Sequence, residues 1–152
     1  MLSVIGVTHK TAPLEIREQV AVPEAEVPRL LAGLAALPDV TEAVLLSTCN
    51  RTELYVMTTD HPPLEELATV LTGWRSIPVG VILPHLQVLS GEDAARHALR
   101  VAAGLESMVV GEPQILGQVR RAFTAARASG TARVTLNRLM QVAVGCGRRV
   151  RA

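Results

Sequence analysis

Residues 43–58, AVLLSTCNRTELYVMT, are the stretch that decides the fold. The apolar run of Ala43–Ser47 predicts a buried strand, and the alternation over Glu53–Thr58 predicts a second one. Only a few residues separate the two, so they are expected to pair as a hairpin with Cys49 near its tip.

The segments on either side of this hairpin alternate between strand and helix patterns. A first strand is expected at Leu2–Val7 and a fourth within Gly80–Leu89, narrowed to Leu86–Leu89. Helices are expected at Leu14–Val20, from Val22-Pro23-Glu24 through Leu37, and at Leu64–Trp74. This order predicts an α+β fold with a ferredoxin-like, split βαβ antiparallel sheet.

Three further helices are expected after the sheet. Ser90-Gly91-Glu92-Asp93 has the spacing of a capping box and would begin a helix that ends at Gly104. A second helix would begin at Glu112-Pro113 and end at Ser129-Gly130. The third is expected at Leu136–Val150. They make the additional C-terminal helices of the predicted fold.

Thr48-Cys49-Asn50-Arg51 places a thiol two residues from a guanidinium at the end of a strand. A neighbouring cation favours the thiolate, which is the nucleophilic form of cysteine. The alternative is a small apolar cysteine that fills a gap in the core. The second cysteine, Cys146, lies between two glycines on a helix without polar neighbours and is expected to pack. Neither cysteine has the spacing of a zinc site.

The chain of 152 residues suits one domain of ordinary size. Residues 1–112 hold seven basic and fourteen acidic side chains, whereas residues 113–152 hold eight arginines and no acid. Such a split indicates either a surface for a phosphate backbone or a basic segment that docks on the acidic half. No targeting pattern precedes the first strand, so a cytoplasmic protein with free cysteines is expected.

Three more segments stand beside the cysteine tetrapeptide. Gly6–Pro13 follows the first strand, His97 lies within a predicted helix, and Gly104–Val119 joins two helices and is dense in polar groups. Together with Leu46–Tyr55, these segments closely resemble the N-terminal catalytic domain of glutamyl-tRNA reductase. The resemblance runs from Gly6 to Arg151.

The resemblance implies a function. The family reduces the glutamate carried on tRNA(Glu) to glutamate-1-semialdehyde with NADPH, the first committed step of tetrapyrrole (5-aminolevulinate) biosynthesis. Cys49 would attack the ester of glutamyl-tRNA and form a thioester, which hydride would then reduce. Glutamate-1-semialdehyde aminomutase is a candidate partner, and no membrane is expected to be one.

The resemblance also assigns roles to residues. Cys49 would be the nucleophile, and His97 would assist by acid–base work or by orienting the ester. Arg51 would bind the substrate's side-chain carboxylate, as its planar fork suits, and Glu112 the ammonium. His9 is expected near the same cleft, and His61 and His85 at surface or structural positions. The remaining substrate-binding positions would be Thr48, Asn50, Ser107, Pro113, Gln114 and Gln118.

One part of the family's pattern has no counterpart here. The chain contains no Gly-x-Gly-x-x-Gly after a strand, and Gly145-Cys146-Gly147 lies within a predicted helix. Residues 1–152 are therefore expected to be the single catalytic domain, without the NADPH-binding domain and the dimerisation domain that makes the parent enzyme a homodimer. No metal is expected.

Two other functions compete with the reductase domain. A ferredoxin-like core also suits a non-catalytic tRNA- or ligand-binding module, in which Cys49 is unreactive. Alternatively, a Cys49/His97 pair would make a cysteine-dependent esterase, which needs the imidazole within hydrogen-bond reach of the sulfur.

Overall fold

A computed structural model describes all residues, 1–152, and contains one antiparallel sheet of four strands. The strands are β1 (Leu2–Thr8), β2 (Val40–Ser47), β3 (Arg51–Thr58) and β4 (Gln87–Ser90). Their order across the sheet is β2-β3-β1-β4, and every neighbouring pair is antiparallel. This arrangement confirms the predicted ferredoxin-like fold.

Seven helices accompany the sheet. Four lie between β1 and β4: two before the hairpin and two after it. Three follow β4 in the chain. Their bounds are α1 Leu14–Val20, α2 Val27–Ala35, α3 Leu64–Gly73, α4 Val79–Ile82, α5 Glu92–Ala102, α6 Gln114–Ala128 and α7 Val134–Arg151. None of them is both long enough and apolar enough to cross a membrane.

Both faces of the sheet are covered. Val44 and Tyr55 are paired residues on one face, where they meet Ala98 of α5, Val119 of α6 and Met140 of α7 around a small void. Because side chains alternate along a strand, Ile5, Leu45 and Leu54 point to the opposite face, and all three are buried. Two covered faces explain why β2 is a nearly continuous apolar run.

The register of the two central strands puts polar residues together. Arg51 pairs with Thr8 and Glu53 pairs with Gly6, so these positions share the face that α5 covers. Arg51, Glu53 and Tyr55 are spaced by two and therefore point the same way. The sheet thus carries two buried charged residues toward His97 on α5.

One local prediction is wrong. The Ser90 capping box does not form, because Ser90 ends β4 and its hydroxyl pairs with that of Ser3 at 3.0 Å. Gly91 precedes α5 instead, at φ 61° and without a side-chain cap. The fourth strand, predicted within Gly80–Leu89 and narrowed to Leu86–Leu89, is confirmed with a shift of one residue as β4, and the one-turn helix α4 lies before it.

Glu42 anchors the last helix to the sheet. Its buried carboxylate Oε1 accepts hydrogen bonds from the backbone N–H groups of Arg133, at 2.7 Å, and Leu136, at 2.9 Å. An anion at a helix N-terminus satisfies free N–H groups and complements the helix dipole. α7 therefore continues through Gly145 and Gly147 from a firmly held start.

We expect Gly6→Ala to destabilise the protein by about 3 kcal/mol, the upper part of the range for overpacked cores. A Cβ at Gly6 would lie 2.1 Å from the backbone oxygen of Thr52, so β1 and β3 would have to separate. Urea unfolding measures the change. Gly73→Ala at the end of α3 is the control, since no atom lies within 4 Å of its added Cβ. Equal stability of the two variants would contradict this packing.

Candidate active site

Cys49 lies at the tip of a three-residue turn whose backbone is held on all sides. Thr48 N–H donates to the Arg51 carbonyl at 2.8 Å, and Asn50 N–H donates to the Thr48 hydroxyl at 3.2 Å. From outside the hairpin, His9 N–H donates to the Asn50 carbonyl at 2.9 Å. The Cys49 side chain itself is exposed and free. The turn therefore presents a thiol to solvent on a rigid support.

Arg17 of α1 adds a side-chain contact to the same turn. Its Nη1 donates to Asn50 Oδ1 at 3.1 Å and lies 3.5 Å from the Cys49 carbonyl oxygen. The side chain of Asn50 is thus fixed by the protein itself. Sequence reasoning missed Arg17, because nothing in the pattern of α1 indicates which way its arginine turns.

A cavity of about 160 Å³ opens beside the thiol, and we call it the Cys49 cavity. It brings together residues of the hairpin turn and of the segment that leads into α6. Eight of the ten predicted site residues line it: Thr48, Cys49, Asn50, Arg51, Ser107, Glu112, Gln114 and Gln118. Pro113 is exposed and precedes the first residue of α6, whereas His97 lies elsewhere.

The 104–112 loop forms one wall of this cavity and is pinned at both ends. Gly104 and Gly111 adopt φ 79° and 81°, and Gly111 N–H donates to the Gly104 carbonyl at 3.0 Å. Arg151 of α7 donates to the carbonyls of Ala102, at 2.8 Å, and Glu112, at 2.9 Å. A Cβ on Gly104 would lie 2.9 Å from Arg151 Nη2, so glycine serves both the turn and the arginine.

Glu112 ends this loop and caps the helix that follows. Its Oε1 accepts the N–H of Gln114 at 2.7 Å, and its Oε2 has no hydrogen-bond partner in the chain. One carboxylate oxygen of a residue that lines the Cys49 cavity is therefore left without a partner in the chain. Its role toward a substrate ammonium stays a prediction.

His97 belongs to a buried network rather than to the thiol. Its Nε2 lies 2.6 Å from Glu53 Oε2, and the Tyr55 hydroxyl and Arg51 Nη1 donate to Glu53 Oε1 at 3.1 and 3.2 Å. Arg51 also donates to the Glu106 carbonyl. The structure contains no hydrogen bond between His97 and Cys49, so the nucleophile–base pair of a cysteine hydrolase is not formed.

The network sets the protonation of its members. Burial opposes the charge of Glu53, but the hydrogen bond from His97 and the positive charge of Arg51 outweigh it and lower the pKa of this carboxyl. Burial and the charge of Glu53 raise the pKa of Tyr55 well above its ordinary value. Glu53 is thus held as a carboxylate that accepts from three neighbours.

His97 lines a second, polar depression of about 320 Å³, which we call the His97 cavity. Its other walls include Lys10, Arg96 and Arg100. Arg51 lines this cavity and the Cys49 cavity alike, although only 3% of its surface is exposed. The guanidinium therefore forms a partition between the two, with its hydrogen bonds already made to Glu53 and Glu106. Its binding of a substrate carboxylate stays a prediction.

The sequence also predicts positions for His9, His61 and His85. His9 is half-buried beside the cysteine turn, and burial together with the charges of Arg51, Lys10 and Arg17 lowers its pKa. His85 Nδ1 contacts the Thr11 carbonyl at 3.2 Å. His61 is exposed, and Cys146 is half-buried in α7.

Comparison with known proteins identifies the family of the chain. The family model described as the glutamyl-tRNA(Glu) reductase N-terminal domain matches residues 5–152. The chain belongs to this family. Glutamyl-tRNA reductases of Citrifermentans bemidjiense and Geobacter sulfurreducens are 43% and 46% identical to it over 149 residues, 97% of the chain. The chain spans about a third of the length of these curated relatives, 34% in both cases.

A solved structure of the same family has the same fold. The glutamyl-tRNA reductase from Methanopyrus kandleri superposes with a TM-score of 0.76 at 33% sequence identity. The match covers 99% of this chain and 34% of that one. The glutamyl-tRNA reductase N-terminal fold therefore extends over the whole described chain, and its cysteine turn is part of the matched region.

Besides Arg17, sequence reasoning missed Glu53 and Glu106 at the candidate site. Both stand inside the segments that carry the family resemblance, Leu46–Tyr55 and Gly104–Val119. The signal that points to Glu53 is a glutamate followed by the apolar part of a strand, Leu54–Met57, because a buried carboxylate requires partners. Glu106 offers no such signal, because its role follows from the path of the loop.

The stability of the 104–112 loop should depend on pH through Glu106. Burial opposes the charge of this carboxylate, but hydrogen bonds from Lys10 and Arg100, both 2.7 Å long, lower its pKa from 4.5 to about 2. Since the folded-state pKa is the lower one, the stabilisation is complete above pH 4.5 and is lost as the pH falls toward 2.

We expect Glu106→Gln to lower the free energy of unfolding by about 1 kcal/mol near neutral pH, and by less as the pH falls through this window. Urea titrations at several pH values measure it. Glu26→Gln is the control, since its 3.4 Å pair with Arg29 lies on an exposed helix surface. A difference between Glu106→Gln and wild type that does not change with pH would contradict the assignment.

Proposed function

We propose that this chain is the acyl-transfer domain of a glutamyl-tRNA reductase and that Cys49 is its nucleophile. The observation that carries the proposal is the Cys49 cavity, where an exposed thiol on a rigid turn meets polar residues of the hairpin, the 104–112 loop and α6. The substrate is glutamyl-tRNA(Glu), as the names of the relatives indicate. The pathway is tetrapyrrole biosynthesis.

The proposed step is a transfer of the glutamyl group from oxygen to sulfur. The Cys49 thiolate attacks the carbonyl carbon of the ester that joins glutamate to the terminal ribose. The carbon–oxygen bond to the ribose breaks, and the proton lost by the thiol ends on the ribose hydroxyl. The glutamyl group remains on Sγ as a thioester. The rigid turn favours this attack because it holds the sulfur in place before the substrate arrives.

His97 contributes to this step from beyond the Arg51 partition. Its bond to Glu53 orients the imidazole and fixes Arg51 through the shared carboxylate. We therefore propose that His97 helps to position the ester of the substrate and does not deprotonate the thiol. This layout favours the reductase domain over a cysteine esterase, whose base must contact the sulfur.

We propose that NADPH is not held by the residues of this domain. The sheet is antiparallel, so it lacks the parallel strand ends at which dinucleotides bind. Gly147 lies within α7, and its Cβ position would be 2.6 Å from the Ala102 carbonyl oxygen, so it serves helix packing. We propose that NADPH, and the reduction it performs, belong to residues outside 1–152. The aminomutase partner and the homodimer stay predictions as well.

The basic segment supports a tRNA partner. None of the eight arginines in residues 113–152 takes part in an ion pair with a carboxylate, because all ion pairs in the structure lie between residues 10 and 106. The acidic half therefore leaves these charges unpaired. Arg120, Arg121, Arg127, Arg133 and Arg138 are all exposed. We propose that they contact the acceptor arm.

The proposed acyl transfer predicts a covalent intermediate without NADPH. When the chain is mixed with glutamyl-tRNA carrying labelled glutamate and quenched rapidly, intact mass should show one glutamyl group on the wild type. Hydroxylamine should remove it, since it cleaves thioesters. Cys49→Ser should remain unlabelled, and Cys146→Ser, the matched control, should be labelled like the wild type. Absence of label on the wild type, with tRNA still bound, would make the chain a binding module.

The proposed tRNA surface predicts a change in salt dependence. Reversing Arg120 and Arg127 together to glutamate should weaken tRNA binding and make the plot of log affinity against log salt less steep, by about 1 per lost phosphate contact. Fluorescence anisotropy at several salt concentrations measures the slope. The control reverses Arg29 and Arg75, which lie in the acidic half. An unchanged slope in the first variant would place the tRNA elsewhere.

A further inference from the structure

A third cavity lies next to the Cys49 cavity, between α2, the end of β2 and α6. It measures about 370 Å³, and we call it the Val27 cavity. Gln118 lines both it and the Cys49 cavity, and Ser47 at its wall directly precedes Thr48. The two cavities are therefore neighbours that share one glutamine side chain.

The walls of the Val27 cavity are suited to a flat, largely apolar ring with polar edges. Val27 and Pro28 line one side, and Ala122 and Ala125 of α6 line the other. Gln118 and Arg121 are its polar members on α6, and neither side chain has a hydrogen bond or an ion pair within the protein. A volume in the range of about 300–1,000 Å³, apolar walls and a few free polar groups are typical of small-molecule sites.

The proposed acyl transfer restricts what can lie here. When the ester carbonyl is at Cys49, the ribose that carries it is one bond away, so the terminal adenosine must occupy a neighbouring space. Two cavities adjoin the Cys49 cavity: the Val27 cavity, across Gln118, and the His97 cavity, across Arg51. A nucleobase needs an apolar surface on which to lie.

The His97 cavity does not provide such a surface. Leu89 is the one hydrophobic residue among the ten that line it. The Val27 cavity has six hydrophobic residues among eleven. Arg121 at the Val27 cavity and Arg120 and Arg127 on the same helix are exposed and unpaired, which suits the phosphates that precede a terminal nucleoside.

We infer that the Val27 cavity is the subsite for the 3′-terminal adenosine of the tRNA, with the base between Val27 and Ala125, its polar edge toward Gln118, and the preceding phosphates along Arg121. The inference rests on the proposed function, because the ester at Cys49 determines where the nucleoside lies.

The first test uses the 152-residue chain and the RNA trinucleotide CCA as the probe. Titration followed by ¹H–¹⁵N NMR should shift the amide signals of Val27, Gln118 and Ala125 and should saturate. Changes confined to the His97 cavity, or no saturable change at millimolar CCA, would overturn the inference. NADP⁺ is titrated in parallel, and tighter binding of NADP⁺ than of CCA at the Val27 cavity would also overturn it.

The second test fills the cavity. Ala125→Leu should weaken CCA binding at least 10-fold and raise the KM for glutamyl-tRNA in thioester formation by a similar factor. Labelling of Cys49 by the 1-ethyl ester of glutamate, which lacks the nucleoside, should be unchanged. Thr124→Leu is the control, since Thr124 is the exposed neighbour on α6 and does not line the cavity.

The outcomes separate this inference from the proposed function. Thioester formation by the wild type with an unchanged KM in Ala125→Leu overturns the adenosine subsite and leaves the acyl transfer standing. Saturable CCA binding at the Val27 cavity without any thioester on the wild type removes the acyl transfer and leaves a nucleoside site. The NMR titration of the wild type does not depend on whether Ala125→Leu folds.

Discussion

The buried carboxylate of Glu53 is the interaction on which the rest of the site depends. It lies on the central strand β3 and accepts hydrogen bonds from Arg51, Tyr55 and His97. A carboxylate removed from water is costly unless its lone pairs are satisfied, and removal of one partner from such a pair costs about 3–5 kcal/mol. Three donors on two elements therefore join strand β3 to helix α5 in one arrangement.

The effect of Glu53 extends to the cysteine turn through Arg51. This arginine follows the turn in the chain, and its guanidinium reaches the 104–112 loop at the Glu106 carbonyl. Lys10 and Arg100 hold the side chain of the same Glu106. The hairpin, the loop after α5 and the turn after the first strand are thus connected through charged groups. Rigidity at Cys49 is a consequence of this connection.

Charged side chains make different kinds of contact in the two parts of the chain. Between residues 10 and 106 the charges pair with one another, and several of these pairs are buried or bridge separate elements. The arginines beyond residue 112 make no such pairs. Arg151 donates to backbone carbonyls, and Arg127 lies over the Phe123 ring, 5.4 Å from its centroid. None of these arginines is therefore neutralised by a carboxylate of the chain.

The sequence predicts the fold better than it predicts the site. Apolar runs and their alternation locate the first three strands and the long helices, because burial on a sheet or helix face imposes a period that a single sequence displays. The cap at the start of α5 is the local feature that the pattern predicts wrongly. Ser90 has the spacing of a cap, yet its hydroxyl is used across the sheet by Ser3, a contact 87 residues apart in the chain.

For the site, too, the sequence predicts local segments better than it predicts contacts between elements. The resemblance predicts eight of the residues that line the Cys49 cavity, because these residues lie in two continuous segments of the sequence. It did not place His97, whose position relative to the sulfur depends on how α5 packs on the sheet. It also gave no role to Glu53, whose importance follows from three partners that are close only in the folded chain. A local sequence pattern shows the hydrophobic period within one helix or strand, but it does not show which residues of different elements are in contact.

The separation of Cys49 from His97 by Arg51 bears on the chemistry. A base in contact with the sulfur would also activate water against the thioester and return the enzyme to its free form. Here the imidazole is bonded to Glu53, and a buried guanidinium with its own partners stands between it and the thiol cavity. A thioester on Cys49 would then face a wall without a general base in contact with the sulfur. Under the proposed function, this layout would let a thioester persist until a reductant reaches it, because no base that could activate water is hydrogen-bonded to the sulfur.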